Sequence, residues 1–385
     1  MKNSSVKYAA LYCFTYLSIG SLLPLIGQYL KEIGFSGTQI GTITATGTTV
    51  AIAASAFWGK RYSKSMRKHD ILMLLCMMAA AVCLFLFFVK EYHVFLAAFG
   101  LMYFFQAPIM SLTDAFTMEG GQHFGRLRAW GAAGFAAGIF AAGLAADILD
   151  LGVIFWFYIG SYGAAAAVIQ RIKRNGAAQE RERPLQQKPD VTGYQGLLKD
   201  KWVRRLILCA FFMGGTNVAN NTYFSFLYLE GGGTVAGVGT AMLLMVGSEV
   251  PFMAWCEKLA ARFTMQKIIL AAMVLSAVRF LIFGLGLPWS MLTMLLFLQG
   301  AVNGVLLIGF VRYVSQLAPE GSESLAISAY YMIGSNLSTI CCQLAGGMLL
   351  DLTGAFGVYV FFGLFNLVGV VLYVKFGLHH IVKRQ

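Results

Sequence analysis

Charge is scarce in this chain. Lys, Arg, Asp and Glu make up 12% of its 385 residues, about half the ~25% of an ordinary soluble domain. Hydrophobic residues reach 58%, against ~45–50% in soluble domains. Together these exclude a water-soluble enzyme with a large core. Histidine is missing from the apolar segments, since His69, His93, His123, His379 and His380 fall between or beyond them. No imidazole therefore stands ready as a proton relay at mid-membrane. The cysteines, Cys13, Cys76, Cys83, Cys209, Cys256, Cys341 and Cys342, lack metal spacing such as C-x-x-C. They read as buried free thiols, which behave as small hydrophobes, and no metal site is expected.

Catalytic signatures are lacking too. No Gly-x-x-x-x-Gly-Lys-Ser/Thr loop occurs, which argues against ATP-driven transport. The apolar segments hold no His-x-x-x-His or Glu-x-x-His, and no soluble catalytic domain accompanies them. An enzyme would want a nucleophile, metal ligands or paired carboxylates in a pocket. An intramembrane enzyme or sensor is thus a remote alternative, and the expectation is no enzyme and no cofactor beyond a proton gradient. The net charge of +12 comes without a basic, aromatic face for bases, so no nucleic-acid partner is expected. The basic residues lie between apolar segments, a distribution that reads as membrane topology.

What is present is a series of apolar runs. A span needs roughly 20 apolar residues. Twelve emerge, at 7–30, 38–58, 71–89, 94–117, 129–147, 152–170, 206–229, 236–257, 268–287, 290–314, 325–350 and 356–376. Each must satisfy its own backbone in lipid, so each is expected to be a helix and the chain an all-α membrane protein. The first run is too long for a cleaved signal and should remain as a span. Lys60, Arg61, Lys64, Arg67 and Lys68 follow the second span, and Lys258, Arg262 and Lys267 follow the eighth. The stretch 171–205 holds ten basic residues against four acidic ones. Alternate loops hold almost none, Lys31 and Lys90 excepted. Both termini are therefore expected in the cytoplasm, in a multi-pass protein of the bacterial cell membrane. The hydrophilic stretch 171–205 reads as a cytoplasmic linker between two six-helix halves, 1–170 and 206–385. That design is typical of transporters whose halves rock about a central site.

Glycine and other small residues recur four apart in the fifth span (Gly134, Gly138) and the eleventh (Gly334, Ser338, Cys342, Gly346). Such spacing lets membrane helices approach closely. Pro24 and Pro251 can kink the first and eighth spans. Asp147 and Asp351 lie near outer helix ends and read as interfacial.

Four charges lie within spans: Asp114 in the fourth, Arg128 entering the fifth, Glu249 in the eighth and Arg279 in the ninth. Each half contributes one acid and one base. An unpaired charge at the bilayer centre costs about 2.5–3.5 kcal/mol on insertion scales. Pairing Asp114 with Arg128, and Glu249 with Arg279, would offset this. Two structural ion pairs are one reading. A polar mid-membrane cavity is the favoured one, because buried ion pairs add little stability over apolar replacements. Arginine offers a planar fork of donors and stays charged, while a desolvated carboxylate gains affinity for protons. The arginines would hold substrate and the carboxylates could carry protons. Asn217, Asn220, Asn221 and Thr222 in the seventh span, and Gln299 and Asn303 in the tenth, either bind a polar substrate or bond between helices.

At these residues the chain resembles the major facilitator superfamily, and within it the lactose-permease-like sugar:proton symporters and the phenylpropionate permease group. Gly20 to Pro24 is similar to the family's glycine-to-proline run. Asp114-Ala-Phe resembles the Glu-Ala-Phe that presents a sugar-binding carboxylate, and Phe124-Gly-Arg-Leu-Arg128 the segment that supplies its arginine. Phe135 sits where an aromatic stacks on the sugar ring. Arg128-x-Trp130-Gly131 and Glu249-Val-Pro251 are closer to the phenylpropionate group. Gly247-Ser-Glu249, Leu275-Ser-Ala-Val-Arg279 and Leu344-Ala-Gly-Gly347 with Asp351 and Gly354 resemble segments of the eighth, ninth and eleventh spans. The family's loop motif is incomplete, reading Gly59, Ser63, Lys64 and Met66. Gln299 and Val302 replace its tenth-span His and Glu, and Asn217 and Asn220 its seventh-span aspartates, while Leu296 and Gly334 replace their lysine partners. The resemblance implies a major facilitator fold and proton-coupled uptake of a small polar or aromatic solute (a sugar, nucleoside or aromatic acid) by a monomer in the lipid bilayer. Asp114, Arg128, Phe135, Asn217, Asn220, Asn221 and Gln299 would bind substrate, and Glu249, Arg279 and Asp114 would couple protons. A uniporter or a proton-driven efflux antiporter of the same fold is the alternative.

Overall fold

Proline and glycine punctuate a chain that is otherwise helix. The computed structural model describes residues 3–122, 124–175, 197, 200–319 and 322–380, and among them every regular element is a helix. Helix α1 (Asn3–Leu22) stops before Pro24 and α2 (Ile26–Glu32) resumes after it, as expected where a proline lacks its N–H donor. Then come α3 (Gly37–Lys64), α4 (Lys68–Phe88), α5 (Tyr92–Glu119), α6 (Phe124–Ile148) and α7 (Val153–Asn175). The later helices are α8 (Lys201–Glu230), α9 (Val235–Arg262), α10 (Met265–Phe283) and α11 (Trp289–Leu317). Helix α12 (Glu323–Ala329) runs through a π-helical turn, Tyr330–Leu337, into α13 (Ser338–Lys375).

Nine helical stretches among the described residues are long and apolar enough to cross a bilayer. The last of them, Glu323–Lys375, has 53 residues and is broken at Gly354, whose φ of 72° suits glycine because it has no Cβ. This break separates the eleventh and twelfth expected spans. The seventh lies on α8, which has 30 residues but whose asparagines dilute its hydropathy. The eighth lies on α9, whose apolar run is Val235–Glu249. All twelve expected spans thus fall on helices. Of the expected linker, residues 176–196 and 198–199 lie outside the described residues. Asp200 starts α8 by accepting from the N–H groups of Trp202 and Val203 at 2.8 and 3.1 Å.

The chain forms two compact units. The first comprises Met1–Phe35, Thr42–Gln186 and Thr234–Leu243; the second comprises Ser36–Gly41, Gln187–Gly233 and Leu244–Gln385. Within the first, α1 packs on α6 so tightly that a Cβ at Gly134 or Gly138 would run into the carbonyls of Cys13 and Leu17. A Cβ at Gly20 would meet that of Phe135. Within the second, Gly214 meets the Gly334 carbonyl, Gly215 meets Ser338, and Gly346 lies under the Tyr223 ring. The small residues of the fifth and eleventh spans therefore do what their spacing implies, against the first and seventh. Tyr158 pins α7 to α5 by donating to Gln106 Oε1 at 2.7 Å. The rings of Phe280, Phe283, Tyr359 and Phe362 join α10 to α13. Six cysteines are free thiols; the Cys256 side chain lies outside the described residues.

One end of the first unit carries two ion pairs. Lys68 meets Glu119 at 2.8 Å and Lys173 meets Asp70 at 2.5 Å, while Tyr62 donates to Glu119 at 3.2 Å. These gather the ends of α3, α4, α5 and α7. Exposed pairs of this kind contribute about 0–1 kcal/mol each.

Candidate functional site

Helices α5 and α6 form a hairpin whose turn includes Gly121 at a φ of 67°, a conformation open to glycine. The hairpin sets Asp114 beside Arg128, with Nη1 3.3 Å from Oδ2. Tyr12, reaching over from α1, donates its hydroxyl to Oδ1 at 2.7 Å. Tyr16, one turn on, lies beside both charges; its ring is 6.2 Å from that of Tyr12. The Asp114 side chain is 18% exposed and that of Arg128 52%. The carboxylate is held from two sides, and the Arg128 side chain, also beside Tyr16, is half exposed. Phe135 is half-buried and two helical turns beyond Arg128, hence on the same side of α6. The side chains of Phe124, Gly125 and Arg126 lie outside the described residues.

The second expected pair does not form. Arg279 is 1% exposed and makes no ion pair with Glu249. Their neighbours explain why. Glu249 is half-buried on α9 where that helix meets α11: Ser248 donates to the Phe297 carbonyl at 2.9 Å, and a Cβ on Gly300 would touch the Glu249 amide. Arg279 instead turns into the interior beside Phe280 and Phe283, at 4.2 and 5.2 Å from the ring centres, and near Tyr359 of α13. The two charges face different helices.

The amides divide in the same way. Gln299 donates through Nε2 to Asn217 at 2.9 Å and to Asn303 at 3.0 Å, and Asn217 donates to the Met213 carbonyl at 3.0 Å. This row ties α8 to α11. Asn220 is wholly buried and accepts from the Tyr359 hydroxyl at 2.8 Å. Asn221 is half-buried. Asn217 and Asn220 thus have different surroundings. Among the described residues no group of three or more His, Cys, Asp or Glu could hold a metal ion.

Sequence reasoning missed Tyr12, Tyr16 and Tyr359, because a tyrosine inside an apolar run carries no motif. It also missed what the helix-end acids do. In the second unit Asp351 accepts from the amides of Gly37 and Thr38 at 2.5 and 2.7 Å and from the Thr38 hydroxyl at 2.7 Å. In the first unit Asp147 accepts from the amides of Val235 and Ala236 at 3.1 and 2.9 Å. Each carboxylate sits at the positive end of a helix dipole, a contact worth about 0.3–1 kcal/mol. Both contacts are remote in sequence, so no local cap signal announces them.

Comparison with known proteins places these features in context. The profile of the MFS_1 like family matches residues 5–361. A maltose permease of Geobacillus stearothermophilus is 32% identical over 366 residues, covering 94% of this chain and 91% of that protein. A probable 3-phenylpropionic acid transporter of Escherichia coli (strain K12) is 26% identical over 341 residues, covering 86% and 87%. Among solved structures, the nucleoside transporter NupG superposes with a TM-score of 0.79 at 18% identity, covering 99% of this chain and 100% of that one. At that identity the likeness speaks for the fold alone.

Proposed function

This chain belongs to the MFS_1 like family, as a multi-pass membrane transporter and not an enzyme, and on that premise we propose that it takes up a neutral, hydroxylated solute of the sugar class together with protons. The observation that carries this reading is the Asp114–Arg128 pair. Its charges cancel, its carboxylate is anchored by Tyr12, and its arginine side chain is half exposed. A balanced pair offers donors and an acceptor side by side, which suits hydroxyls that both donate and accept. Phe135 would stack on the apolar face of the ring. The 32% identity to a maltose permease supports the sugar class. An aromatic acid is the second reading, favoured by Arg128-x-Trp130-Gly131 and by the likeness to a probable 3-phenylpropionic acid transporter. Against it, Asp114 would repel an anion.

Glu249 is the proposed proton carrier, with Asp114 as the second candidate. Glu249 is a half-buried carboxylate in a span, a placement costly enough to ask for a function. Arg279, which makes no ion pair with it, is left out of this path. Asn217 and Gln299 would line the substrate path from α8 and α11. The basic ends of α3 and α7 would face the cytoplasm of a bacterial cell, and the protein would work as a monomer. Proteoliposomes with an acidic exterior test the substrate and the coupling, using labelled maltose, a labelled nucleoside and labelled 3-phenylpropionate. Sugar accumulation with alkalinisation of the medium is expected. Uptake of the aromatic acid alone refutes the sugar reading, and sugar uptake without proton movement reduces the protein to a uniporter. Glu249→Gln should abolish accumulation while sparing exchange; unchanged accumulation removes Glu249 from the mechanism.

A further inference from the structure

Three helices of the second unit, α8, α10 and α13, are joined by polar side chains in two layers. One layer is closed. Thr216 donates to Asn366 Oδ1 at 2.8 Å, and Asn366 donates through Nδ2 to Ser276 at 2.8 Å. The other lies one turn along α8 and α10 and two turns along α13, and consists of Asn220, Arg279 and Tyr359. Its only side-chain hydrogen bond among the described residues runs from the Tyr359 hydroxyl to Asn220 Oδ1. Asn220 Nδ2 and the Nε, Nη1 and Nη2 atoms of Arg279 are all buried without an acceptor among the described residues.

The imbalance has one sign. Arginine brings five N–H donors and no acceptor, and the asparagine amide adds two more. Asn220 is 0% exposed and Arg279 1%, so bulk water does not reach them. Buried polar groups are almost always partnered, and a lone buried guanidinium is among the most costly groups to leave unpaired. The rings of Phe280 and Phe283 lie 4.2 and 5.2 Å from the guanidinium carbon and offset part of the charge, but they accept none of its N–H bonds in the plane of the group. We infer that Arg279 and Asn220 form a binding site for a small monovalent anion of the halide class. The anion would accept from the guanidinium edge and from Asn220 Nδ2, with Tyr359 fixing the amide so that its NH2 points at the ion. Chloride suits the donors by charge: it neutralises the arginine, needs no specific acceptor geometry, and is present at high concentration outside cells. The site concerns the stability and charge balance of the second unit and does not depend on which solute is carried.

The test compares thermal unfolding of the detergent-purified full chain in sodium chloride, sodium bromide and sodium gluconate at equal ionic strength, without substrate. A ligand that binds only the folded state raises the melting temperature in a saturable way. Chloride and bromide should raise it by a few degrees over gluconate. Arg279→Met should remove that difference. Asn220→Asp supplies a resident carboxylate beside the guanidinium; this variant should be as stable in gluconate as the wild type is in chloride, and should gain nothing from halide. It decides the matter where Arg279→Met does not fold. Glu249→Gln should retain the full halide effect. The proposal is overturned by equal melting temperatures of the wild type in chloride and gluconate. It is equally overturned by an undiminished halide effect in Asn220→Asp, or by loss of the effect in Glu249→Gln, which would tie the halide effect to Glu249 and not to Arg279. A bromide anomalous-scattering peak beside Arg279 would locate the ion.

Discussion

Asp114 has two partners with different needs, and substitutions separate them. Asp114→Ala removes the acceptor of a Tyr12 hydroxyl on a residue with 0% exposure. Stranding a buried donor costs about 1–3 kcal/mol. It also strips Arg128 of its counter-charge, but that side chain is 52% exposed, so this loss is discounted to about 0–1 kcal/mol. The expected destabilisation is about 1–4 kcal/mol. Asp114→Asn keeps an oxygen for Tyr12 and removes only the charge, so its cost is about 0–1 kcal/mol. Thermal unfolding of both variants, with Tyr12→Phe and the double variant Tyr12→Phe/Asp114→Ala, completes a cycle whose coupling should be about 1 kcal/mol. Transport should follow a different order. Both Asp114 variants should lose tenfold or more in uptake, since about 1.4 kcal/mol of substrate binding is a factor of ten and both leave Arg128 unbalanced. Equal stability of Asp114→Ala and Asp114→Asn would refute the role given to Tyr12. Wild-type uptake by Asp114→Asn would refute the placement of substrate at this pair.

Packing makes a contrast of sign. Gly134→Ala drives a methyl into the backbone of Cys13 and should destabilise by about 1–3 kcal/mol, whereas Gly160→Ala, with nothing within 4 Å of its Cβ position, should be neutral or stabilising by about 0.5–1 kcal/mol; melting temperatures of the two decide. Asp351→Ala strands the amides of Gly37 and Thr38 and should cost about 0.5–2 kcal/mol, read as faster amide exchange confined to the first turn of α3; slower or unchanged exchange there contradicts the cap. The Glu91 carboxylate accepts from Val94 and His93 at 2.8 and 3.0 Å, and those backbone donors hold its pKa below the usual carboxylate range. A depressed folded pKa gives stability that is present above the unfolded value and is lost as pH falls through the folded one. Glu91→Gln should therefore melt below the wild type at neutral pH, with the gap closing in acid; a gap independent of pH speaks against the cap.

The positions of the spans were legible because the backbone has to close its own hydrogen bonds in lipid, and about twenty apolar residues in a row can do so only as helix. The break at Pro24 followed from a missing donor. The pairing of Asp114 with Arg128 was legible as well, since a hairpin brings together residues fourteen apart. The other partner of Asp114, Tyr12, lies 102 residues away and nothing local distinguishes it from the other aromatics of an apolar run.

The same limit explains the failed pair. Glu249 and Arg279 occupy successive helices, as Asp114 and Arg128 do, and by composition alone the two couples look alike. Which face of a helix meets which neighbour is decided by close contacts, and here Gly300 drew α9 towards α11 while Phe280, Phe283 and Tyr359 took Arg279 into the interior of its unit. From the sequence alone came the membrane, the places of the spans, the basic ends and the residue types available for a site, all set by burial and backbone satisfaction along a single strand of chain. The tertiary structure decided which charges touch, which amides are sealed between helices, and which acids cap a distant helix, because those depend on the rotation of each rod about its axis, a quantity fixed by side-chain interlocking between segments far apart in the chain.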